Sequence, residues 1–273
     1  MFQLMVQKLL HKKWMMLSLL VGIVLLVAVA TSHVMYQDAS LSWMLQEAFD
    51  AYVAVHNEDP GLLTINGRIA KDSTDDTDYL RAEALSQTIC EDLGLAQKNK
   101  ICFKSLEKTT VISQISKANK DPESKISIAS MSELADHVKL ISGRMYSDEQ
   151  SKDGCVEAVV TLKAAIERDY LVDEIVDFKY LKDPKENPLK VKIVGIVTWA
   201  DSTDDYWIFS PDEYQEQVFV SDRMYDWVCG DNVKKYGQST KWYLTFDYSQ
   251  IDYRDTTALT QKTYSMLNAY SGG

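Results

Sequence analysis

The most pronounced pattern in the sequence is a run of apolar residues near the N-terminus. Residues 14–30 (WMMLSLLVGIVLLVAVA) contain no charged side chain, and no Asp, Glu, Lys or Arg follows before Asp38. A helix of about 20 residues crosses the hydrocarbon core of a bilayer and satisfies its own backbone hydrogen bonds there. We therefore predict a transmembrane helix over residues 14–35.

The charges around this run predict its orientation. Lys8, Lys12 and Lys13 precede it, and the positive-inside bias places such a cluster in the cytoplasm. Residues 1–13 are then cytoplasmic and residues 59–273 form an extracytoplasmic domain, so the chain is expected to be a single-pass protein of the cell membrane.

A cleaved signal peptide is the competing interpretation of the same run. Ala28, Val29 and Ala30 resemble the small-residue site of a signal peptidase. The apolar core of a signal peptide usually has only ~7–15 residues, so the length of this run favours a retained anchor. The domain that follows is exported in both cases.

The residues after the membrane segment place apolar side chains at helical spacing. Within 36–58 these are Met44, Leu45, Ala48, Phe49 and Tyr52. We expect a stalk helix that continues the membrane helix, buries one face, and stops at Asp59-Pro60-Gly61.

The remaining pattern alternates short strand-like and helix-like segments. The predicted strands are 62–69, two short pieces within 98–116, 156–161, 174–180, 189–197 and a half-buried strand over 241–248. The predicted helices are 79–93 before Gly94, 133–140 capped by Ser132, 162–168 and 256–270. Residues 117–125 are typical of a polar loop, and Ser142-Gly143-Arg144 of a turn. Because regular βαβ units are missing, the pattern predicts a mixed α+β domain, possibly of two subdomains, and disfavours a doubly wound sheet.

Composition and charge exclude one class of partner. Of the 273 residues, 46% are hydrophobic and 25% are charged, which is ordinary for a globular protein. Beyond residue 31 the chain carries 26 Lys and Arg against 40 Asp and Glu. Such a surface repels a phosphate backbone, so we expect no binding to nucleic acid.

Four cysteines are spread singly through the predicted domain, at Cys90, Cys102, Cys155 and Cys229. They form no CxxC pair, and they allow three disulfide connectivities between which the sequence does not choose. Because the chain is too poor in cysteine for a disulfide scaffold, buried or unreactive thiols are the favoured interpretation.

The stretch from Ser132 to Trp207 resembles the extracytoplasmic domain of FtsX-like ABC transporter permeases of the MacB type. The resemblance rests on five short segments taken in order. They are His137–Met145 (HVKLISGRM), Val156–Val160 (VEAVV), Tyr170–Ile175 (YLVDEI), Val191–Val197 (VKIVGIV) and Asp205-Tyr206-Trp207. A basic N-terminus followed by a membrane helix and a large ectodomain is also similar to that family.

The resemblance implies a fold of the MacB periplasmic-core type and a permease subunit that does not itself bind or hydrolyse ATP. A separate cytoplasmic ATPase would supply the motion, and the first membrane helix and its stalk would pass it to the ectodomain. The expected partners are the lipid bilayer and that ATPase. A homodimer with a second copy of the chain is an open alternative. Members of the family have three further membrane helices after the ectodomain, so we expect either a fragment or a single-pass relative, because one helix cannot form a transport path.

The sequence offers little catalytic chemistry. It contains no Walker A, GxSxG, HExxH or GxGxxG motif. Of the four histidines, His11 and His33 flank the membrane run, and only His56 and His137 lie beyond it. We therefore expect no enzyme and nominate no catalytic, cofactor-binding or metal-binding residue.

Two acidic clusters are candidate calcium sites. They share the pentapeptide Asp-Ser-Thr-Asp-Asp, at 72–76 and at 201–205, with flanks that do not match. The acids in question are Asp72, Asp75, Asp76 and Asp78, and Asp201, Asp204 and Asp205. Neither cluster has the spacing or the glycine of an EF-hand loop, so solvated loop or helix-capping acids are the favoured interpretation.

A set of aromatic residues and one arginine are candidate binding groups. The aromatic set is Trp199, Tyr206, Trp207, Tyr214, Tyr225, Trp227, Trp242 and Tyr243. Core or sheet packing is favoured over an aromatic shelf for sugars or peptides. For Arg144, a turn residue that binds loop carbonyls or a carboxylate is favoured over a ligand-binding role.

Three functions follow from these patterns. The first is the ectodomain of an ABC-type permease in transport or mechanotransmission. The second is a single-pass cell-surface binding or sensor protein without an ATPase, and the third is an exported hydrolase. The sequence does not identify a substrate.

Overall fold

The computed structural model describes residues 13–56, 58–113, 125–230 and 233–271. The chain forms two compact units. The helical unit comprises Met1–Pro60 and Ser249–Thr260, and the sheet unit comprises Gly61–Tyr248 and Gln261–Gly273. The predicted cytoplasmic segment 1–13 and polar loop 117–125 lie outside the described residues, apart from Lys13 and Lys125.

The helical unit is built on helix α1 (Lys13–His56), which runs for 44 residues. Among the described residues it is the one helix long and apolar enough to cross a membrane. The predicted membrane helix and stalk are therefore one continuous helix. The expected buried face of the stalk is only partly present, because Leu45 and Phe49 are half-buried while Met44 and Tyr52 are exposed.

A loop of the same unit lies against α1. The Tyr253 hydroxyl donates to the Asp38 carboxylate at 2.5 Å, and the Arg254 guanidinium forms an ion pair with the same carboxylate. Farther along the helix, the Gln46 amide donates to the carbonyl oxygen of Ser249 at 3.3 Å. The loop from Ser249 onward is thus held by α1 through polar contacts.

The sheet unit contains ten described strands and the helices between them. The strands are β1 (Leu62–Ile69), β2 (Gln97–Leu106), β3 (Thr109–Ser113), β4 (Lys125–Met131), β5 (Val138–Gly143), β6 (Val156–Thr161), β7 (Ile175–Lys182), β8 (Pro188–Trp199), β9 (Gln217–Phe219) and β10 (Gln238–Phe246). The helices are α2 (Thr77–Leu93), α3 (Leu134–His137), α4 (Leu162–Arg168), α5 (Asp222–Cys229), α6 (Val233–Tyr236) and α7 (Thr256–Ser271), which begins in the helical unit and belongs to the sheet unit from Gln261 onward. The domain is of the mixed α+β class, as predicted.

Six of the strands pair in a closed ring. In order around the ring they are β4, β3, β7, β8, β6 and β9, and β9 returns to β4 through a parallel pairing of Ser127–Ala129 with Gln217–Phe219. Strands β1, β10 and β2 extend the sheet beyond β4, and β5 pairs with one end of β8. Closure leaves no free edge within the ring.

The core follows from this pairing. Every ring strand contributes buried apolar side chains to one cluster, for example Val111, Ile128, Val160, Phe178 and Ile193. Residues of β4, β6, β8 and β9 that face the other side of the sheet form a second cluster with Tyr206 and Tyr243. A third cluster packs α2 and α7 on β1 and β10. Burial of these apolar surfaces is the main stabilising contribution to the unit.

Two sequence predictions need correction, and several elements have no counterpart among the predictions. The helix predicted over 133–140 is only Leu134–His137, and the next residues form β5. Strand β4 was not predicted, because it is buried on both faces and shows no alternation. Strand β9 and helix α5 were also not predicted. Strand β10 lies between β1 and β2 and is almost fully buried, whereas a half-buried strand was expected.

Candidate functional site

The segments that carry the family resemblance meet at strand β8. Strand β5 pairs with β8 so that Gly143 lies opposite Gly195. A Cβ atom on Gly143 would lie 2.1 Å from the carbonyl oxygen of Val194, and one on Gly195 would lie 2.2 Å from that of Arg144. Only glycine permits this approach, and Gly143 also has a φ of 79°. The predicted turn at 142–144 is therefore the close crossing of two paired strands.

Arg144 follows this crossing and binds a buried carboxylate. Its guanidinium donates to both oxygens of Glu157, at 2.6 and 2.5 Å, and to the carbonyl oxygen of Met145 at 2.9 Å. Glu157 is 4% exposed, and the Ser147 backbone N–H also donates to it. The hydrogen bonds from Arg144 hold the pKa of Glu157 below its ordinary value, against the opposing effect of burial. The predicted role of Arg144, binding a loop carbonyl and a carboxylate, is confirmed.

His137, at the start of the segment that also contains Gly143 and Arg144, binds the loop at 201–207. Its Nδ1 atom lies 2.6 Å from Oδ2 of Asp204, and its ring stacks on Tyr206 with 3.9 Å between centroids. The Trp207 indole donates to the His137 carbonyl oxygen at 3.3 Å. The hydrogen bond from His137 lowers the pKa of Asp204. Since no hydroxyl or thiol among the described residues bonds to His137, the pair lacks the nucleophile that a triad requires.

A polar cleft of about 570 Å³ opens elsewhere on the sheet unit. It is bordered by the start of α2, by β2, by α5 and α6, and by the first residue of β10. Its charged lining residues are Asp76, Glu83, Lys104, Asp226 and Lys234, and its uncharged polar ones are Tyr79 and Gln238. A cleft of this size is in the range of small-molecule sites.

Lys104 projects from β2 into this cleft. Its ammonium lies 3.1 Å from Asp226 and 4.0 Å from Asp222, and 5.9 Å from the centre of the Tyr225 ring. Burial alone would lower the pKa of Lys104, but the carboxylate of Asp226 and then that of Asp222 raise it above the ordinary value. The lysine is therefore a permanent cation whose charge is already matched by two acids.

The floor of the cleft is rigid. Gln238 is buried, and its amide nitrogen donates to the Tyr79 hydroxyl at 3.2 Å and to the Thr240 hydroxyl at 3.0 Å. Burial raises the pKa of Tyr79, whose ring also packs against Trp242 at 5.7 Å. Gly67 makes room for this packing, because a Cβ there would lie 2.9 Å from the Trp242 ring.

The two remaining acids of the cleft differ in their contacts. Asp76 pairs with Lys234 at 2.9 Å, and the backbone N–H of Asp72 donates to the carbonyl oxygen of Lys234, which ties the start of α2 to α6. Glu83 is half-buried on α2, and no described residue donates a hydrogen bond to its carboxylate or forms an ion pair with it. The cleft therefore contains one acid whose charge is not matched.

The acidic clusters act mainly within their own loops. Asp75 accepts from the hydroxyl and backbone N–H of Thr77, and Asp201 accepts from the same two groups of Thr203. These bonds lower the pKa of both aspartates. The two copies share one turn, because the fourth residue of each pentapeptide accepts from the backbone N–H two positions later, Asp75 from Thr77 and Asp204 from Tyr206. Across the described residues, no group of three or more His, Cys, Asp and Glu side chains is placed to hold a metal.

The cysteines and the aromatic residues take the structural roles that the sequence favoured. All four thiols are free, and burial raises the pKa of Cys102 to about 11 and that of Cys229 to about 12. None of the eight aromatic residues weighed above is exposed: Tyr206, Tyr214, Tyr225, Trp242 and Tyr243 are buried, and Trp199, Trp207 and Trp227 are half-buried.

Sequence reasoning missed the cleft, although Asp76 was weighed as a loop acid. Its lining comes from segments that are far apart in the chain, such as Glu83, Lys104 and Asp226, and no local pattern links them. Glu83 on the helix predicted over 79–93 is an ordinary surface acid by its sequence context. Only the pairing of β1, β10 and β2 brings these groups together.

Comparison with known proteins adds no family. A scan against protein-family models finds no match for this chain, and no curated protein matches it significantly. The likeness to FtsX- and MacB-type permeases therefore stays a prediction that rests on the segments around β8.

Proposed function

We propose that the chain is the membrane-anchored extracytoplasmic part of an ABC transporter permease of the FtsX and MacB type. In this role it passes motion between a separate cytoplasmic ATPase and the sheet unit. The observation that carries the proposal is helix α1, whose apolar first half continues without interruption into a polar second half.

The geometry of α1 suits a mechanical link. At 1.5 Å per residue, 44 residues extend for about 66 Å, roughly twice the thickness of a hydrocarbon core. Sharp kinks in helices occur mostly at proline and glycine, and the part of α1 beyond residue 35 contains neither. Displacement at one end of such a helix is transmitted to the other.

The polar half of α1 carries a second segment with it. Asp38 stands three residues beyond the predicted membrane segment and is bound by both Tyr253 and Arg254. The helical unit is joined covalently to the sheet unit at the peptide bonds after Pro60, Tyr248 and Thr260. A movement of α1 would therefore act on the sheet unit through more than one connection.

The MacB-type core is supported by the way the resembling segments interlock. The Gly143–Gly195 crossing, the Arg144–Glu157 pair and the stacking of His137 on Tyr206 each join two of those segments. Residues that resemble one family in order along the chain thus also contact one another in the fold.

Orientation is the first test. The native gene is altered to carry an epitope after Lys152, in an exposed loop of the sheet unit. Protease added to intact cells should remove the epitope, because the sheet unit is expected outside. Survival of the epitope until the cells are permeabilised would reverse the topology and end the proposal.

Association with an ATPase is the second test. The same tagged protein is extracted from its own membranes in mild detergent and purified, and an ATPase of the ABC class should accompany it in a fixed ratio. An unrelated single-pass protein with the same tag serves as the control. Purification without any such ATPase would contradict the permease role.

Motion is the third test, on the purified complex. ATP with vanadate should change hydrogen exchange in both α1 and the segment 249–260 of the wild-type protein. In Arg254→Ala the change in that segment should be lost, and the charge exchange Asp38→Arg with Arg254→Asp should restore it. An unchanged response in Arg254→Ala would show that this ion pair plays no part in the coupling.

The cleft favours one alternative, a single-pass binding or sensor protein without an ATPase. The purification experiment distinguishes the two functions, because the permease should be accompanied by an ATPase, whereas the alternative requires a ligand and no ATPase.

A further inference from the structure

The charges around the cleft do not balance. Asp76, Glu83 and Asp226 face Lys104 and Lys234 across it. Asp76 is paired with Lys234, and Lys104 is paired with Asp226 and also contacts Asp222 outside the lining. The carboxylate of Glu83 is left as the unmatched charge among the described residues, and the cleft as a whole is negative.

This arrangement discriminates between ligand charges. An anion entering the cleft would have to displace Asp222 and Asp226 from Lys104, and it would meet Glu83 at close range. A cation would meet Glu83 and the acids around Lys104 without breaking an existing pair. Opposite charge and charge-assisted hydrogen bonds therefore favour a positively charged ligand.

The walls of the cleft are arranged before any ligand binds. Gln238 has its amide nitrogen committed to Tyr79 and Thr240, and Tyr79 is fixed against Trp242. The backbone bond from Asp72 to Lys234 fixes the rim. Little ordering is then required on binding, which increases the affinity available from a few polar contacts.

We propose that the cleft binds a small organic cation, with a primary ammonium or guanidinium group on an uncharged body. The cationic group donates hydrogen bonds to Glu83, and the body lies against Tyr79. The volume of about 570 Å³ accommodates a molecule well beyond the size of a simple ion. Such a site needs no ATPase and is independent of the transport role proposed above.

The test uses three compounds that share one body and differ in charge. Tyramine is a cation, 4-ethylphenol is neutral and 4-hydroxyphenylacetate is an anion. Binding of each to the full chain in detergent micelles is measured by calorimetry and by saturation-transfer NMR. Partition into the micelle is common to all variants, so differences between variants report the cleft.

Two substitutions should move the affinity in opposite directions. Glu83→Gln should weaken tyramine binding by about tenfold, the lower end of what a hydrogen bond to a charged group contributes. Lys104→Gln should strengthen it, because Asp222 and Asp226 lose their partner. Glu91→Gln, an exposed acid on the same helix outside the cleft, should have no effect.

The outcomes are distinct. Tyramine binding that falls in Glu83→Gln and rises in Lys104→Gln supports the proposal. Preferential binding of 4-hydroxyphenylacetate, lost in Lys104→Gln, would assign the cleft to anions instead. Equal tyramine binding in Glu83→Gln and Glu91→Gln would overturn it. The absence of tyramine binding in the wild type and in all variants, when the variants keep the unfolding midpoint of the wild type, would also overturn it.

Discussion

Two charged clusters of the sheet unit use the same kinds of side chain in different ways. In the cluster beside β8, Arg144 covers the buried Glu157, and every oxygen of that carboxylate receives a hydrogen bond. In the cleft, Lys104 pairs with two acids, while the carboxylate of Glu83 receives no hydrogen bond from the described residues. One cluster is closed and the other is open.

The two clusters differ in whether the protein itself supplies a partner for the carboxylate. Glu157 is almost completely buried, so its charge depends on the pairing with Arg144. Glu83 is only half-buried and keeps contact with solvent, so water can take the place of a partner within the protein. We expect the first cluster to contribute to folding stability and the second to contribute to binding, and the following predictions test that division.

The largest effect is expected at the strand crossing that positions Arg144. Gly143→Ala brings a Cβ to 2.1 Å from the Val194 carbonyl oxygen and should cost about 3 kcal/mol or more of unfolding free energy. Gly154→Ala is the matched control, since Gly154 also has a positive φ but nothing within 4 Å of its Cβ position. The control should cost only about 1 kcal/mol. The urea midpoint of tryptophan fluorescence measures both, and equal losses would mean that backbone conformation alone explains the effect.

Removal of the guanidinium comes next. Arg144→Met should destabilise the sheet unit by about 2 kcal/mol, because the buried Glu157 keeps only the N–H of Ser147, while the exposure of Arg144 limits the loss. Arg81→Met removes a half-buried arginine 3.7 Å from the exposed Asp78 and should change stability by less than about 0.5 kcal/mol. The same urea titration applies, and equal effects of the two substitutions would show that the Glu157 pair has no special weight.

The pH dependence of stability should report the same pair. Because the pKa of Glu157 is lowered in the folded state, its contribution is complete above the ordinary value of 4.5 and is lost as the pH falls through the lowered pKa. Urea midpoints of the wild type should therefore drop more steeply than those of Glu157→Gln in this acidic range. Parallel curves for the two proteins would contradict the assignment.

A smaller effect is expected at the loop that His137 binds. Asp204→Asn should cost about 1 kcal/mol, as it weakens the hydrogen bond to His137 while keeping an acceptor for the Tyr206 N–H. The neighbouring Asp205 is exposed, and Asp205→Asn should be neutral. Thermal unfolding of the two variants distinguishes them, and equal midpoints would remove His137–Asp204 from the stabilising contacts.

The smallest effect is expected in the cleft. Glu83→Gln should change the unfolding free energy by no more than about 0.5 kcal/mol, whereas Glu157→Gln should be clearly destabilising. A loss in Glu83→Gln comparable to that in Glu157→Gln would mean that both carboxylates are structural, and the contrast between the clusters would disappear.

The elements of this fold that could be predicted from sequence are those with a strong local signal. The helical spacing of apolar residues and the glycine at the C-terminal end were sufficient to predict the helix that ends before Gly94. The N–H of Gly94 bonds to the Cys90 carbonyl oxygen. The hairpin of β7 and β8 and strand β6 were found in the same way. The first part of the long helix α1 followed from apolar length, and its continuation beyond residue 35 followed from the helical spacing of apolar residues.

The errors arose where distant partners decide the structure. Ser132 is of a residue type that often caps helices, but its hydroxyl accepts a hydrogen bond from the N–H of Cys102 on β2. Arg144 was correctly expected to hold a carboxylate, yet nothing local identifies Glu157 as that carboxylate. The cleft was missed for the same reason, because it depends on strand pairing between remote segments.

The closing pair of the six-stranded ring has a consequence for synthesis. Ser127–Ala129 on β4 must wait for Gln217–Phe219 on β9, about ninety residues later in the chain, before the ring can close. During translation the earlier strands therefore emerge with unsatisfied backbone groups, and contacts so remote in sequence slow folding. Until residues 217–219 have been synthesised, β4 lacks its β9 partner, so the ring is completed only late in the making of the chain.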